Sequence, residues 1–271
     1  MKNNRLWRIR LTNRCNANCI FCHGEGIHLS STAMDISVNY VQHLLETVID
    51  ADDSIALSGG EPLLHPELEY IIRCTVTKVG EKCHLNTNGI LLEKKLNILF
   101  MAGLKNIHVN LATLDGKIYK NLYGVDFPLF LWNTLRDAVE LGFHININVV
   151  VLQGYNECDS FAIDLLKRCE KSCFDATFIE PHNALNSKSD GTLFQEYYQQ
   201  LLTSKGFNLI QTMPGRKIYK REKCHVRIAS PCAPAMAWNG SPKDDAFVVL
   251  ENEEIRKFST GEVIKYANTP A

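Results

Sequence analysis

A chain of 271 residues, 45% of them hydrophobic and 22% charged, has the size and composition of one large globular domain with a substantial core. Its 29 basic and 30 acidic side chains leave a net charge of −1, which gives no electrostatic case for nucleic acid or an anionic membrane surface as a partner. No apolar run approaches the roughly 20 residues that cross a bilayer, and the opening MKNNRLWRIRLTNRCN lacks the apolar core of a signal peptide. A cytoplasmic protein is expected, and its ten cysteines need an explanation other than disulfides.

The first strand is expected over Leu6–Thr12, where apolar and polar residues alternate, and it runs into a loop with three crowded cysteines. A helix follows over Ile36–Ala51, with Val38, Val41, Leu44, Leu45 and Val48 at helical spacing and Asp35 as N-cap. Strand Ser54–Leu57 ends in Gly59–Gly60, and the next helix begins near Pro66, where proline suits a first turn, and runs to about Val79. Strand Cys83–Asn86 precedes a helix over Leu92–Ala102, and strand Ile107–Leu111 precedes one over Leu129–Leu141. Strand Ile145–Leu152 leads to a helix over Phe161–Cys173, and strand Ala176–Ile179 to one over Leu193–Lys205.

Six such units predict an α/β fold with a parallel sheet and helices outside, an open partial (β/α)6 TIM barrel rather than a closed one of eight. After Gly206 the pattern changes to short strands: Leu209–Thr212, Lys217–Arg221, His225–Ala229, Phe247–Leu250 and Ile255–Phe258. A boundary near Lys205 is therefore expected, with residues 1–205 the barrel and 206–271 a small β-rich C-terminal extension packed on it.

Cys15, Cys19 and Cys22 stand as C-x3-C-x2-C. A short loop of this spacing can wrap three thiolates around one corner of a [4Fe–4S] cubane and leave one iron without a protein ligand. That iron can chelate the amino and carboxylate groups of S-adenosylmethionine (SAM), and one electron from the cluster then breaks a C–S bond to release a 5′-deoxyadenosyl radical. Zinc is the alternative, but zinc normally takes a closed tetrahedron, and no second CxxC or HxxxH lies where a usual zinc module would put it.

Further pieces follow in order, each at an expected strand end: Arg8–Asn16, Gly59-Gly60-Glu61-Pro62-Leu63-Leu64, Thr87-Asn88-Gly89, Leu114-Asp115 and Asn148-Val149-Val150. Over roughly residues 5–185 this set resembles the radical SAM superfamily, and most closely its branch of molybdenum-cofactor GTP 3′,8-cyclases. The resemblance implies that Cys15, Cys19 and Cys22 ligate the cluster and that Phe21 lies near the adenine. It implies that Gly59, Gly60, Glu61 and Pro62 receive the methionine amino group, and that Thr87 and Asn88 face the methionine carboxylate. Asn110, in place of a common serine, would bond the ribose; Asn148 would sit beside SAM, and Ile179 and His182 would approach the adenine. An external one-electron donor such as flavodoxin or ferredoxin is implied as partner.

The sequence also departs from that branch. Its cyclases carry a second cluster on a downstream cysteine triad, whereas only Cys224 and Cys232 lie in this tail, so one cluster is expected. The double-glycine C-terminus of those cyclases is missing. Asn146 and Thr177 stand where basic residues bind phosphate, and His65 where arginine or lysine is common; Arg8 and Arg14 remain. Cys169 and Cys173, four apart, read as core thiols on one helical face. GTP cyclisation is thus not the expected reaction. A small polar substrate is, such as a nucleoside, sugar or amino-acid derivative, with Arg8, His65 and Asn146 its nearest candidate contacts. The Asn183–Gly191 segment and the tail from Trp238 are expected over the barrel mouth. The rival readings are a GTP 3′,8-cyclase-like nucleotide enzyme and a non-catalytic zinc- or SAM-binding protein.

Overall fold

The computed structural model of the chain describes residues 5–22, 33–181, 192–213, 215–230, 246–257 and 261–264. Strand and helix alternate: β1 (Leu6–Arg10), α1 (Val38–Thr47), β2 (Ser54–Ser58), α2 (Leu68–Val79), β3 (Cys83–Thr87), α3 (Leu92–Met101) and β4 (Asn106–Asn110). Two helices, α4 (Gly116–Tyr123) and α5 (Leu131–Glu140), then precede β5 (His144–Val150), α6 (Asp159–Ser172), β6 (Asp175–Ile179) and α7 (Thr192–Ser204). The remainder supplies β7 (Asn208–Met213), β8 (Arg216–Arg221), β9 (Cys224–Ala229), β10 (Ala246–Val249), β11 (Ile255–Lys257) and β12 (Val263–Ile264).

All twelve strands form one sheet, ordered β12-β11-β10-β1-β2-β3-β4-β5-β6-β9-β8-β7. Strands β1 to β6 are parallel and consecutive, the open barrel expected from six strand–helix units. The strands after residue 206 continue this sheet at both edges. β9 pairs parallel with β6, and β10 pairs parallel with β1.

The two faces of the sheet differ in chemistry. Ile55 and Leu57 of β2, Leu85 of β3, Ile107 and Val109 of β4 and Ile147 and Val149 of β5 are fully buried in the single main core. The apolar sides of the helices cover them, through Val41 and Leu44 of α1, Ile71 and Ile72 of α2 and Leu165 of α6. A parallel sheet covered on both faces usually reads as continuous apolar runs. Here Asn106-Ile107-His108-Val109-Asn110 and His144-Ile145-Asn146-Ile147-Asn148 alternate strictly, so the inner face is polar. Arg8 on β1 and Arg216 on β8, seven strands apart in the sheet order, both act electrostatically on His84 of β3, so the sheet curls around a polar lumen.

Several expectations are corrected. Ser37, not Asp35, caps α1: its hydroxyl accepts from the Tyr40 amide, while Asp35 pairs with Arg14 at 2.7 Å. Helix α4 was not foreseen. Asp115 caps it by accepting from Lys117 and Ile118, and Gly124 closes it at a φ of +69°. Cys173 does not share a helical face with Cys169, because it stands beyond α6 as an exposed left-handed C-cap while Cys169 is fully buried.

Candidate active site

The loop Arg14–Cys22 leaves the C-terminal end of β1 and is held on two sides. On one side it runs along the turn after β2: the Gly60 amide donates to the Thr12 carbonyl and the Glu61 amide to the Arg14 carbonyl, each at 2.7 Å. The contact requires glycine. A Cβ on Gly59, at a φ of +131°, would lie 2.4 Å from the Thr12 carbonyl oxygen, and one on Gly60 would lie 2.2 Å from that of Arg14. On the other side the loop rests on α4, whose Tyr123 and Leu122 carbonyls accept from the Asn18 and Ile20 amides at 2.7 and 2.9 Å. Phe21 packs edge-to-face on the Tyr123 ring, with centroids 5.3 Å apart.

Glu61 ties the neighbouring turns together. It is completely buried, and its carboxylate accepts from the Leu63 amide (3.0 Å), the Thr87 hydroxyl (2.6 Å) and the Asn88 amide (2.8 Å). Burial pushes this carboxyl up to about 7, against the three donors, which pull it the other way. Asn88 reaches back to the cysteine loop, donating from Nδ2 to Asn16 Oδ1 at 2.8 Å. The sequence therefore joins the ends of β1, β2 and β3 through Asn16, Glu61, Thr87 and Asn88. Pro62 opens a short 3-10 turn beneath them.

The thiols of Cys15 and Cys19 are both raised in pKa. Burial first, then Cys15 and Cys22, push the Cys19 thiol up to about 12; burial, Glu61 and Cys22 likewise raise Cys15 above the Ala17 amide's opposing pull. Crowding of this kind disfavours bare thiolates and is relieved when each sulfur binds a cationic iron. Three thiols on one loop are the donor set that a cubane with one open iron would take, although as placed no three His, Cys, Asp or Glu side chains among the described residues are grouped to hold a metal ion.

A chain of amides lines the adjoining lumen. Asn146 Nδ2 donates to Asn148 Oδ1 at 2.7 Å, and Asn148 Nδ2 to Asn110 Oδ1 at 3.4 Å. Asn146 Oδ1 in turn accepts from Thr177 (3.1 Å) and from Arg227 Nη1 (3.0 Å). Ile179 ends β6 half-buried, and Arg8 donates to the Ser58 hydroxyl at 3.0 Å. Two arginine or histidine candidates are engaged elsewhere. Arg14 holds Asp35 and the Leu64 carbonyl, and His65 is buried between the Ile36 carbonyl (3.1 Å) and the Glu67 amide (3.2 Å). His182, Cys232, the Asn183–Gly191 segment and residues 238–245 of the tail lie outside the described residues, while the described part of the tail forms β10, β11 and β12 at the β1 edge of the sheet instead of a cover over the mouth.

The family model of the radical SAM superfamily matches residues 9–166. The chain belongs to the radical SAM superfamily. It is 31% identical over 226 residues to a probable GTP 3′,8-cyclase of Pyrobaculum aerophilum, covering 81% of this chain and 70% of that protein. It is also 35% identical over 182 residues to the GTP 3′,8-cyclase of Corynebacterium glutamicum, but spans only 48% of that protein. These relatives set it in the GTP 3′,8-cyclase-like branch. Streptococcus suis SuiB bound to S-adenosylmethionine shares the fold, with a TM-score of 0.67 at 16% identity over 93% of this chain and 60% of that one. The anSMEcpe protein with bound AdoMet does so with a TM-score of 0.61 at 15% identity, over 95% of this chain and 75% of its own. The chain is thus a radical SAM enzyme, with a [4Fe–4S] cluster and SAM as its cofactors.

Sequence reasoning missed two groups. One is Tyr119 and Tyr123 of α4, stacked at 4.1 Å beside the cysteine loop. The other is the inner face at β3, β4, β8 and β9, where Asn86, His84, His108, Arg216 and Arg227 stand. The alternation of β3 and β4, Cys-His-Leu-Asn-Thr and Asn-Ile-His-Val-Asn, was the available signal.

Proposed function

We propose that the chain holds a single cluster on Cys15, Cys19 and Cys22 and abstracts hydrogen from a small polar substrate seated in the lumen. The observation that carries this reading is the junction of the two regions: the clasped cysteine loop stands at the C-terminal mouth of a barrel whose inner face is polar. When bound, the reduced cluster and SAM supply a 5′-deoxyadenosyl radical. The protein's own residues hold and aim. Gly59 and Gly60 let the loop lie against β2, Glu61 fixes the turns around it, and the Asn110–Asn148–Asn146 chain presents amides to the ribose and the substrate. Thr87 and Asn88 act through the scaffold, since their side chains are engaged with Glu61, Gly89, Ile90 and Asn16.

Cys224 supports a single cluster. Its thiol is buried on the helix-facing side and donates to the Phe174 carbonyl at 3.2 Å, next to Cys169. Anaerobic reconstitution should therefore give about four irons per chain, and reduction in the presence of SAM should release 5′-deoxyadenosine. Eight irons, or a colourless zinc protein, would overturn the reading. The names of the similar relatives favour a second reading, a GTP 3′,8-cyclase-like nucleotide enzyme. GTP consumption coupled to 5′-deoxyadenosine release in that assay would establish it.

A further inference from the structure

The inner face of the barrel carries an arginine without an acid. Arg216 opens β8 opposite Ala229 and lies two positions from Ile218, which faces Arg227, so both arginines share the lumenal face. Arg216 is 9% exposed, its Nε is buried with no partner, and no described carboxylate pairs with it. The buried Glu180 follows β6 and its amide donates to the Ala229 carbonyl, but no ion pair joins it to Arg216, and two further acids are engaged. Asp175 holds Arg227 at 3.2 Å and His225 at 3.3 Å, and Glu251 holds Arg10 at 3.1 Å. Burial and the Arg227 charge pull Arg216 down to about 10, so it remains a cation at neutral pH. An arginine this buried is almost always paired, because a lone buried charge is costly.

Other open groups stand on the same inner face of the sheet. Asn86 is 7% exposed, and neither atom of its amide has a partner. In register with it on β4, His108 has a buried Nδ1 that is also unpartnered. Its ring stacks on that of His84, centroids 4.4 Å apart. Arg216 acts electrostatically on both imidazoles. Buried polar atoms in folded proteins find partners, so several open ones around one cation describe the complement of an anion.

We propose that the lumen binds an oxyanion of the substrate, a carboxylate or a phosphate, with Arg216 as its charged anchor and the Asn86 amide and His108 Nδ1 as further contacts. The inference rests on the reading that the substrate occupies the lumen, and it names the chemistry of one end of that substrate. It also accounts for Asn146 and Thr177, which stand where basic residues were expected: Arg227 donates to Asn146, so the positive charge is supplied from β8 and β9 instead.

Calorimetric titration of the anaerobically reconstituted protein with inorganic phosphate, and separately with acetate, tests this. One saturable site is expected for at least one of the ions; phosphate preference points to a phosphorylated substrate and acetate preference to a carboxylic acid. Arg216→Gln should weaken binding about ten- to a hundred-fold, the loss of a charge-assisted contact. Asn86→Asp should weaken it through repulsion, and carries the test if the first variant does not fold. Absence of saturable binding in the wild type, or binding unchanged in both variants, would overturn the proposal. The wild-type preparation is assayed in parallel for 5′-deoxyadenosine. SAM cleavage without anion binding sinks this inference alone, whereas anion binding without cleavage sinks the radical reading alone.

Discussion

Two polar regions share one barrel and are built on opposite plans. At the C-terminal ends of β1, β2 and β3, the polar side chains bond to the protein itself: Glu61 to three donors, Asn88 to Asn16, Arg14 to Asp35. On the lumenal face at β3, β4 and β8, Asn86, His108 and Arg216 keep buried polar atoms without protein partners. The first plan makes a rigid cradle, in which close packing of backbone fixes where a cofactor can sit. The second leaves hydrogen-bonding capacity for a ligand. An internally satisfied region is a scaffold, and an internally unsatisfied one is a binding surface.

If the cradle is rigid, filling its closest approach should be the most damaging change. Gly60→Ala puts a Cβ 2.2 Å from a carbonyl oxygen and 2.7 Å from its carbon, both backbone, so the loops must separate. We expect loss of iron incorporation and about 3 kcal/mol or more of stability, read by iron assay and thermal melting. A Gly60→Ala protein with full iron would show that the contact is slack. Glu61→Ala should come next, at about 3 kcal/mol, since it strands three buried donors. Glu61→Gln, which keeps one carbonyl acceptor, should cost visibly less in the same melts.

The lumen should reveal itself by pH. Burial, with Arg8 and Arg216 nearby, pulls His84 from 6.5 down to about 4, and burial, His84 and both Arg227 and Arg216 pull His108 well below the usual imidazole range. Both are neutral when folded, so the unfolded chain binds more protons as pH falls below about 6.5 and stability drops. For His84 the loss between pH 7 and 5 is about 2 kcal/mol, and His108 adds in the same direction. An anion beside the arginines should reduce that loss, so urea melts at pH 5 should show the protein recovering stability in phosphate. Acid stability that is flat, or indifferent to phosphate, would erase the distinction between the two regions. The smallest effect is expected at Cys224→Ala: about 1 kcal/mol from the buried contact, with iron content unchanged.

The barrel was legible because its signals are local. Alternation in β1, β4 and β5 and helical spacing in α1, α2 and α3 give each element its place without reference to the others. The cysteine loop and the Gly59–Pro62 turn were legible as motifs. Their mutual packing was not, because nothing in Gly59-Gly60 says that the neighbour it admits is the backbone of Thr12 and Arg14. Helix α4 escaped because it is eight residues long and two of its buried positions are tyrosines, although Asp115 and Gly124 mark both ends. Arg216 escaped for a topological reason. It lies 130 residues or so from His84 along the chain, and only the return of β8 and β9 to the edge of β6 brings the two within electrostatic reach.

The most direct test of the account is reductive SAM cleavage by the wild type and by the single variants Cys15→Ala, Cys19→Ala and Cys22→Ala, each reconstituted anaerobically. The barrel core does not depend on the loop's metal, so all four proteins should fold. The wild type should release 5′-deoxyadenosine and each variant none above background. Full cleavage by any one variant would contradict the assignment of these three thiols to the cluster.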